Sequence, residues 1–180
     1  MNVTMNLILS ADHNWGLGCD NHLLFKVAPD MRRFRDKTIG GVVVMGRKTL
    51  ESLPGGTPLK DRINVVMTRD PGRIGIRGDR RLRVCGGLRE LSCCLNELAI
   101  EQDQVWVAGG AEIYRLLLPY SKNAYVTRIL TAAEKADCWM ENLDAMADWL
   151  LVETGEIQEW EGLRFRYDRY RNTKIKQLPK

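Results

Sequence analysis

The stretch Pro29-Asp30-Met31-Arg32-Arg33-Phe34-Arg35 puts one carboxylate near the start of what reads as a helix. Proline suits the first helical position, where its missing N–H would be unpaired anyway, so the helix is expected to begin at Pro29. On a period of 3.6 residues, Asp30 and Phe34 share a face with Met31 beside them, and Arg32, Arg33 and Arg35 take the polar side. Two roles fit an acid placed this way. It can complement the helix dipole in the first turn, or it can face a pocket and accept paired hydrogen bonds from the amidine-like or guanidine-like edge of a ligand.

Two other stretches could do chemistry. Val42-Val43-Val44-Met45 runs straight into Gly46-Arg47-Lys48-Thr49, and Val105-Trp106-Val107-Ala108 into Gly109-Gly110, with Ala111 to Leu118 following as a helix. A glycine at a strand-to-helix corner lets a phosphate approach the backbone, and Arg47 and Lys48 add positive potential. Two such corners can aim two helix N-termini at one ligand, the arrangement a dinucleotide calls for, although neither matches G-x-G-x-x-G. Arg69, after the strand Arg62 to Thr68, could meet a second phosphate or could simply be a solvated arginine.

The elements that must position these residues follow from patterning. Met5 to Ala11 reads as a buried central strand with Ile8 and Ser10 facing away from Leu7, Leu9 and Ala11. Asp12 to Leu23 has no periodicity, and its spaced glycines and Trp15 suggest a mobile cover that comes close to a ligand. Arg81 to Cys85 reads as a strand and Leu88 to Ile100 as an amphipathic helix. After the strand around Tyr125 to Leu130, alternation in Trp149 to Gln158 and Leu163 to Tyr170, joined through Glu161-Gly162, suggests a closing hairpin. The expected class is α/β: a single domain with a mostly parallel central sheet, closed by a C-terminal antiparallel hairpin. Residues 173–180, polar and basic, are expected to fray.

At 180 residues, 44% hydrophobic and 28% charged, the chain can bury one core. It has no apolar run of membrane-spanning length and no signal-peptide pattern at its start, so a cytoplasmic location without membrane contact is expected. The five cysteines form no C-x-x-C pair, and with only His13 and His22 available no zinc spacing arises; no metal is expected and the thiols read as reduced. The net charge of +4 and the basic runs Arg69 to Arg83 and Arg164 to Lys176 carry no nucleic-acid-binding motif and read as solvated surface.

Taken together, these segments resemble the dihydrofolate reductase family from about Met5 to Asn172. The likeness rests on Leu17-Gly18 with Asn21, the helix of Asp30 and Phe34, Val44-Met45-Gly46-Arg47-Lys48-Thr49 with Glu51-Ser52, and Gly109-Gly110 with Ile113-Tyr114. Arg62-Ile63-Asn64, Tyr125-Val126-Thr127-Arg128-Ile129 and Asp137 support it. The resemblance implies a domain over residues 1–172 with helices on both faces of its sheet. It implies a monomer that reduces 7,8-dihydrofolate to tetrahydrofolate with NADPH, for one-carbon metabolism and thymidylate synthesis.

It also implies site roles. Asp30 holds the pterin's 2-amino group and N3, and Thr127 bonds to that carboxylate. Ile8 offers backbone to the pterin edge, while Met31, Phe34, Leu53, Ala108 and Tyr114 line the substrate pocket and Arg62 grips the glutamate carboxylate. On the cofactor side, Ser10 and Leu17 meet the nicotinamide amide through backbone, Lys48, Thr49, Gly109, Gly110, Ala111, Glu112 and Ile113 the pyrophosphate, and Arg47, Thr68 and Arg69 the 2′-phosphate, with Gly16, Gly18 and Gly46 also binding the cofactor. The chain departs from the family at Leu23-Leu24-Phe25, where Leu-Pro-Trp is usual, at Ala108, which is usually branched, and at Glu112, which is often basic.

Two competing readings carry their own expectations. A related reductase on the same scaffold would act on another pterin or a ribosylated pyrimidine; Asp30 together with Arg62 speaks for folate. A non-catalytic nucleic-acid-binding protein would show strongly salt-dependent binding and no stabilisation by NADPH.

Overall fold

The computed structural model describes residues 3–76, 78–101 and 103–180. Arg77, part of the basic run Arg69 to Arg83, lies outside them with Met1, Asn2 and Gln102. The first strand, β1 (Met5–Ala11), leads into a short hairpin of β2 (Gly16–Cys19) and β3 (His22–Leu23), then α1 (Ala28–Thr38), β4 (Val42–Gly46) and α2 (Arg47–Ser52). Next come β5 (Ile63–Met67), β6 (Leu82–Cys85), α3 (Leu88–Glu97), β7 (Val105–Val107), α4 (Ala111–Leu117) and β8 (Ser121–Ile129). The chain closes with β9 (Cys138–Trp139), β10 (Trp149–Thr154), β11 (Gln158–Trp160) and β12 (Leu163–Asn172).

The main sheet has the order β10-β12-β8-β1-β7-β4-β5-β6, with β11 on β12. From β8 to β6 every pairing is parallel, and β12 and β10 extend the sheet antiparallel. The β-branched runs Val42 to Val44 and Val65 to Val66 are fully covered, as strands buried on both faces must be. On one face Leu7, Leu9, Val44, Val65 and Val107 pack with Leu91 and Leu95 of α3 and with Tyr114 and Leu117 of α4. On the other, Val43, Met45 and Val66 pack with Leu50 of α2 and, from α1, Phe34.

Several boundaries differ from the sequence reading for local reasons. α1 starts one residue early, at Ala28, with extended Val27 as its cap. α3 stops at Glu97 instead of continuing to Ile100, because Leu98 caps it and Ala99 turns to a φ of 47°. Trp149 to Gln158 is not one strand: it breaks after Thr154, where Gly155 backs onto Tyr167 so closely that a Cβ would lie 2.7 Å from the Tyr167 carbonyl oxygen. The tail expected to fray is tied down. The Lys176 N–H donates to the Pro119 carbonyl at 2.8 Å, Lys174 pairs with Asp148 at 2.8 Å, and Leu178 packs on the main core. Among the described residues no helix is long and apolar enough to cross a membrane.

One buried amide sets the approach to β5. Asn64, fully enclosed, accepts from the Leu59 N–H at 2.9 Å and donates to the carbonyls of Leu59 at 3.0 Å and Arg62 at 3.1 Å, closing the turn that delivers Arg62. Asn64→Ala leaves those backbone groups without their partner and should lower unfolding stability by about 2 to 3 kcal/mol, read as a reduced urea midpoint at unchanged m-value.

Candidate active site

Parallel strands β1, β4, β5 and β7 end at one edge of the sheet, and β7, late in the chain, lies between β1 and β4. That is a topological switch point, where open α/β sheets take ligands beyond the carboxyl ends of their strands. β1 pairs with β7 only as far as Leu7 opposite Val107, whereas its pairing with β8 runs on to Ala11 opposite Arg128. Past Leu7 the sheet opens. There the Ile8 carbonyl, with no β7 partner, accepts from the buried Tyr114 hydroxyl at 2.8 Å.

Asp30 reaches into this opening from α1. Its Oδ1 accepts from Thr127 Oγ1 of β8 at 2.5 Å, across 97 residues of sequence, and Thr127 itself is fully buried. Burial pushes the Asp30 carboxyl above the usual aspartate range; the Thr127 hydrogen bond and then the positive charge of Arg33 pull it back part of the way. Oδ2 and the remaining lone pair of Oδ1 are left for a ligand with two donors side by side. An acid that only complemented a helix dipole would stay in water; this one is half-buried and turned onto Thr127.

Phe34, Leu53 and Ala108 come together as partly buried neighbours of the second core cluster. Met31, assigned to the same wall, is half exposed at 51%. Arg62, half-buried, donates from Nη1 to Thr38 Oγ1 at 3.0 Å and from Nε to the Lys60 carbonyl at 2.8 Å, which aims its guanidinium while leaving donors over.

The two glycine corners abut. The Gly46 N–H donates to the Gly109 carbonyl at 2.7 Å, a Cβ on Gly46 would sit 3.1 Å from Ile113 Cγ1, and one on Gly110 3.6 Å from Thr49 Oγ1. Neither helix start carries a side-chain cap; in the first turn of α4 the Ile113 N–H turns back to the Gly110 carbonyl at 3.0 Å, and the N–H groups ahead of it have no side-chain partner. Gly109 has φ 94°, and a Cβ there would lie 2.7 Å from the Tyr114 ring; no other residue fits that corner. The Gly109–Gly110 peptide is cis. In register, Met67 of β5 lies opposite Gly46, so Thr68 and the exposed Arg69 follow β5 at the same edge at which Arg47 and Lys48 begin α2. Arg47 is paired with Glu51 at 2.5 Å; Ala111 is half-buried and Glu112 exposed at the start of α4. Uncapped N–H groups with nearby cations are the donor set that phosphates require.

The segment Asp12 to Leu23, expected to be an unpatterned mobile cover, is a small antiparallel sheet instead: β2 pairs with β3 and with β9. Trp15 is 4% exposed and packs edge-on against Tyr170 at 5.8 Å, so it anchors the segment rather than covering a ligand. The glycines approach the protein itself: a Cβ on Gly16 would lie 2.9 Å from Leu24 Cδ1 and one on Gly18 2.6 Å from the His22 carbonyl oxygen. Leu17 is buried between them, and Ser10, half-buried, lies opposite Thr127 in the β1–β8 register.

Sequence reasoning missed Asp12, which accepts from the N–H groups of Asn14, Gly16 and Ala133 at 2.7 to 2.8 Å and clamps the root of this segment. Its signal was the Asx-turn spacing Asp12-x-Asn14-x-Gly16. Arg33 was also misread: it leaves the polar side and lies 4.1 Å from the Tyr167 ring centroid. Cys19, Asp20 and Asp137 bring ligand-type atoms within 4.8 Å of one another, a grouping that linear spacing did not reveal; the Asp20 N–H already donates to Asp137 at 2.7 Å.

Because burial raises the Asp30 pKa, the folded state keeps that proton to a higher pH than the unfolded chain, and stability is lost as pH rises through the window between the two values. Asp30→Asn removes this penalty. Its melting temperature should exceed that of the unchanged protein at neutral pH, with the gap closing below the ordinary aspartate range, as differential scanning calorimetry across pH would measure.

A family model described as dihydrofolate reductase matches residues 4–172. The chain is 33% identical over 161 residues to a dihydrofolate reductase of Mycobacterium tuberculosis, covering 86% of this chain and 89% of that one. It is 36% identical over 158 residues to that of Mycobacterium leprae, with the same two coverages of 86% and 89%. A viral dihydrofolate reductase of Saimiriine herpesvirus 2 is 28% identical over 193 residues, 94% of this chain and 85% of its own length. With the match running through both glycine corners and the Asp30 helix, the chain belongs to the dihydrofolate reductase family.

Proposed function

We infer that this oxidoreductase reduces 7,8-dihydrofolate to 5,6,7,8-tetrahydrofolate with NADPH. The observation that carries the reading is the covered Asp30 carboxylate, tied through one oxygen to Thr127 and otherwise open to paired donors. A pterin's 2-amino group and N3 form such a pair, and Arg62 stands ready for the carboxylate at the other end of a folate. When bound, NADPH supplies the hydride that the pterin C6 accepts.

The chain's own work is positioning. Asp30 and Thr127 hold one rim of the pterin, Phe34, Leu53, Ala108 and Met31 wall its faces, and the corners at Gly46 and Gly109 seat the cofactor's phosphates. Alignment of this kind can supply up to about 7 to 11 kcal/mol of a barrier. Holding N3, Asp30 is out of reach of N5 on the opposite side of the ring. The proton for N5 therefore arrives by water, and the Asp30 charge favours the protonated ring.

In a spectrophotometric assay of NADPH loss with dihydrofolate, the protein should turn over and Asp30→Asn should stay folded while losing most of that turnover; near-normal activity in the variant would remove the assignment. Arg69, exposed just past the end of β5 at the Gly46 edge, is the cleanest probe of cofactor choice. Arg69→Gln should raise KM for NADPH about tenfold, roughly 1.4 kcal/mol, and leave KM for NADH unchanged; equal effects on both would detach Arg69 from the 2′-phosphate.

A further inference from the structure

Arg33 sits one turn beyond Asp30 on α1, and its position is odd for an arginine with water within reach. A side chain this long can snorkel. Instead its guanidinium carbon lies 4.1 Å from the Tyr167 ring centroid and 5.9 Å from that of Tyr125, and its Nη1 is enclosed with no hydrogen-bond partner among the described residues. Taking a cation out of water without pairing it directly is costly. The ring faces recover part of that cost, and the Asp30 charge recovers more: burial weakens the hold of Arg33 on its proton, and Asp30 leads the groups that restore it, ahead of Tyr167, Tyr125 and Glu153.

The sheet register explains how cation and carboxylate meet. Tyr167 of β12 lies directly opposite Thr127 of β8, so their side chains emerge on the same face. Thr127 holds Asp30, and Tyr167 holds Arg33. Two neighbouring strands thus clamp two neighbouring turns of one helix. The clamp also keeps the charges apart in a useful way. A forked Arg–carboxylate pair would occupy both oxygens of Asp30, whereas a guanidinium held over the Tyr167 ring acts through space and leaves the free oxygen for a ligand.

We propose that Arg33 is a positioning residue for the reaction: stacked on Tyr167, it supplies the standing positive charge that keeps the Asp30 carboxylate ionised and open while substrate is captured. This rests on the reading of Asp30 as the acid that holds the substrate.

The other groups nearby do not duplicate it. Lys37, on the same helix, lies 4.5 Å from the Tyr125 centroid, on the far side of Arg33 from Asp30 in sequence, and is pressed towards neutrality by burial. Glu153 of β10 is paired with Arg169 of β12 at 3.0 Å. Tyr114 of α4 and Tyr167 are held neutral by burial, and Thr127 of β8 contributes a hydroxyl and no charge. Of the cations in this group, Arg33 is the one that draws the Asp30 carboxyl downward.

The test is a pH titration of the full-length free enzyme carrying carboxyl-¹³C aspartate, with the Asp30 signal identified by its loss in Asp30→Asn. Arg33→Gln should raise the Asp30 midpoint by about half to one pH unit, Arg33→Lys should move it less than half as far, and the acid limb of kcat/KM should shift in step. Tyr167→Leu, which removes the platform, should also raise the midpoint, and Tyr167→Phe should not. A folded Arg33→Gln with an unmoved midpoint overturns the proposal. Should that variant fail to fold, equal midpoints in Tyr167→Leu and Tyr167→Phe overturn it instead. Since the titration is read without substrate, an enzyme that shows these shifts but does not oxidise NADPH with dihydrofolate would fault the substrate assignment and not the coupling.

Discussion

The hydrogen bond from Thr127 to Asp30 is the interaction on which the rest of the structure depends. It joins the first turn of the chain's first helix to the strand that neighbours β1, and it does so in a half-buried setting, where a carboxylate without partners is pushed towards taking up a proton. To make that bond, α1 must cross the face of the sheet that carries Thr127 and Tyr125, and Phe34 must seat the helix against Val43, Met45 and Val66. The alternation of β8 puts Ala124 and Val126 into the opposite core, so a slip of one residue in the β1–β8 register would send Thr127 away from the helix.

Around that bond the fold supplies an opening and a floor. The opening follows from topology, since β7 is inserted between β1 and β4 and separates from β1 past Leu7. The floor is Tyr114, whose ring fills the space a side chain at Gly109 would need and whose hydroxyl satisfies the stranded Ile8 carbonyl. One tyrosine on α4 therefore couples the glycine corner to the widening of the sheet. The glycine corner and the carboxylate pocket are built from a shared set of contacts.

Much of this was legible in the sequence wherever local pattern and burial agree. The β-branched runs of β4 and β5, the proline at the start of α1 and the glycines at both corners gave strands, helix and turns close to where they lie, and the pairing of Asp30 with Phe34 on one face was readable from spacing alone. What could not be read was set by partners distant in the chain. Arg33 looks like a surface cation until Tyr167, 134 residues later, is placed opposite Thr127 by the β12–β8 register. Asp12 looks like loop until Ala133 comes back to meet it. The tail looked free because nothing in its composition shows that Pro119 waits for Lys176. Gly155 broke an apparently continuous strand because β12 passes too close for any side chain.

The segment between β1 and α1 shows how the same reasoning grades stability within one element. At its root Asp12 makes its backbone contacts in a buried setting, and Trp15 is locked between Tyr170 and the guanidinium of Arg128, which stacks 4.1 Å from its ring centroid. At its tip the ties are exposed: Asn21 Nδ2 reaches the Lys48 carbonyl of α2 at 3.2 Å, and the Asp20 N–H meets Asp137 at 2.7 Å. Exposed bonds with little apolar burial open at far lower free energy than buried ones. The exposed ties of residues 20 and 21 therefore open more readily than the buried ones at residues 12–17, while His22 and Leu23 stay paired with β2. The tie from Asn21 lands on Lys48, in the first turn of α2, and so joins the tip to the helix that starts at the Gly46 corner.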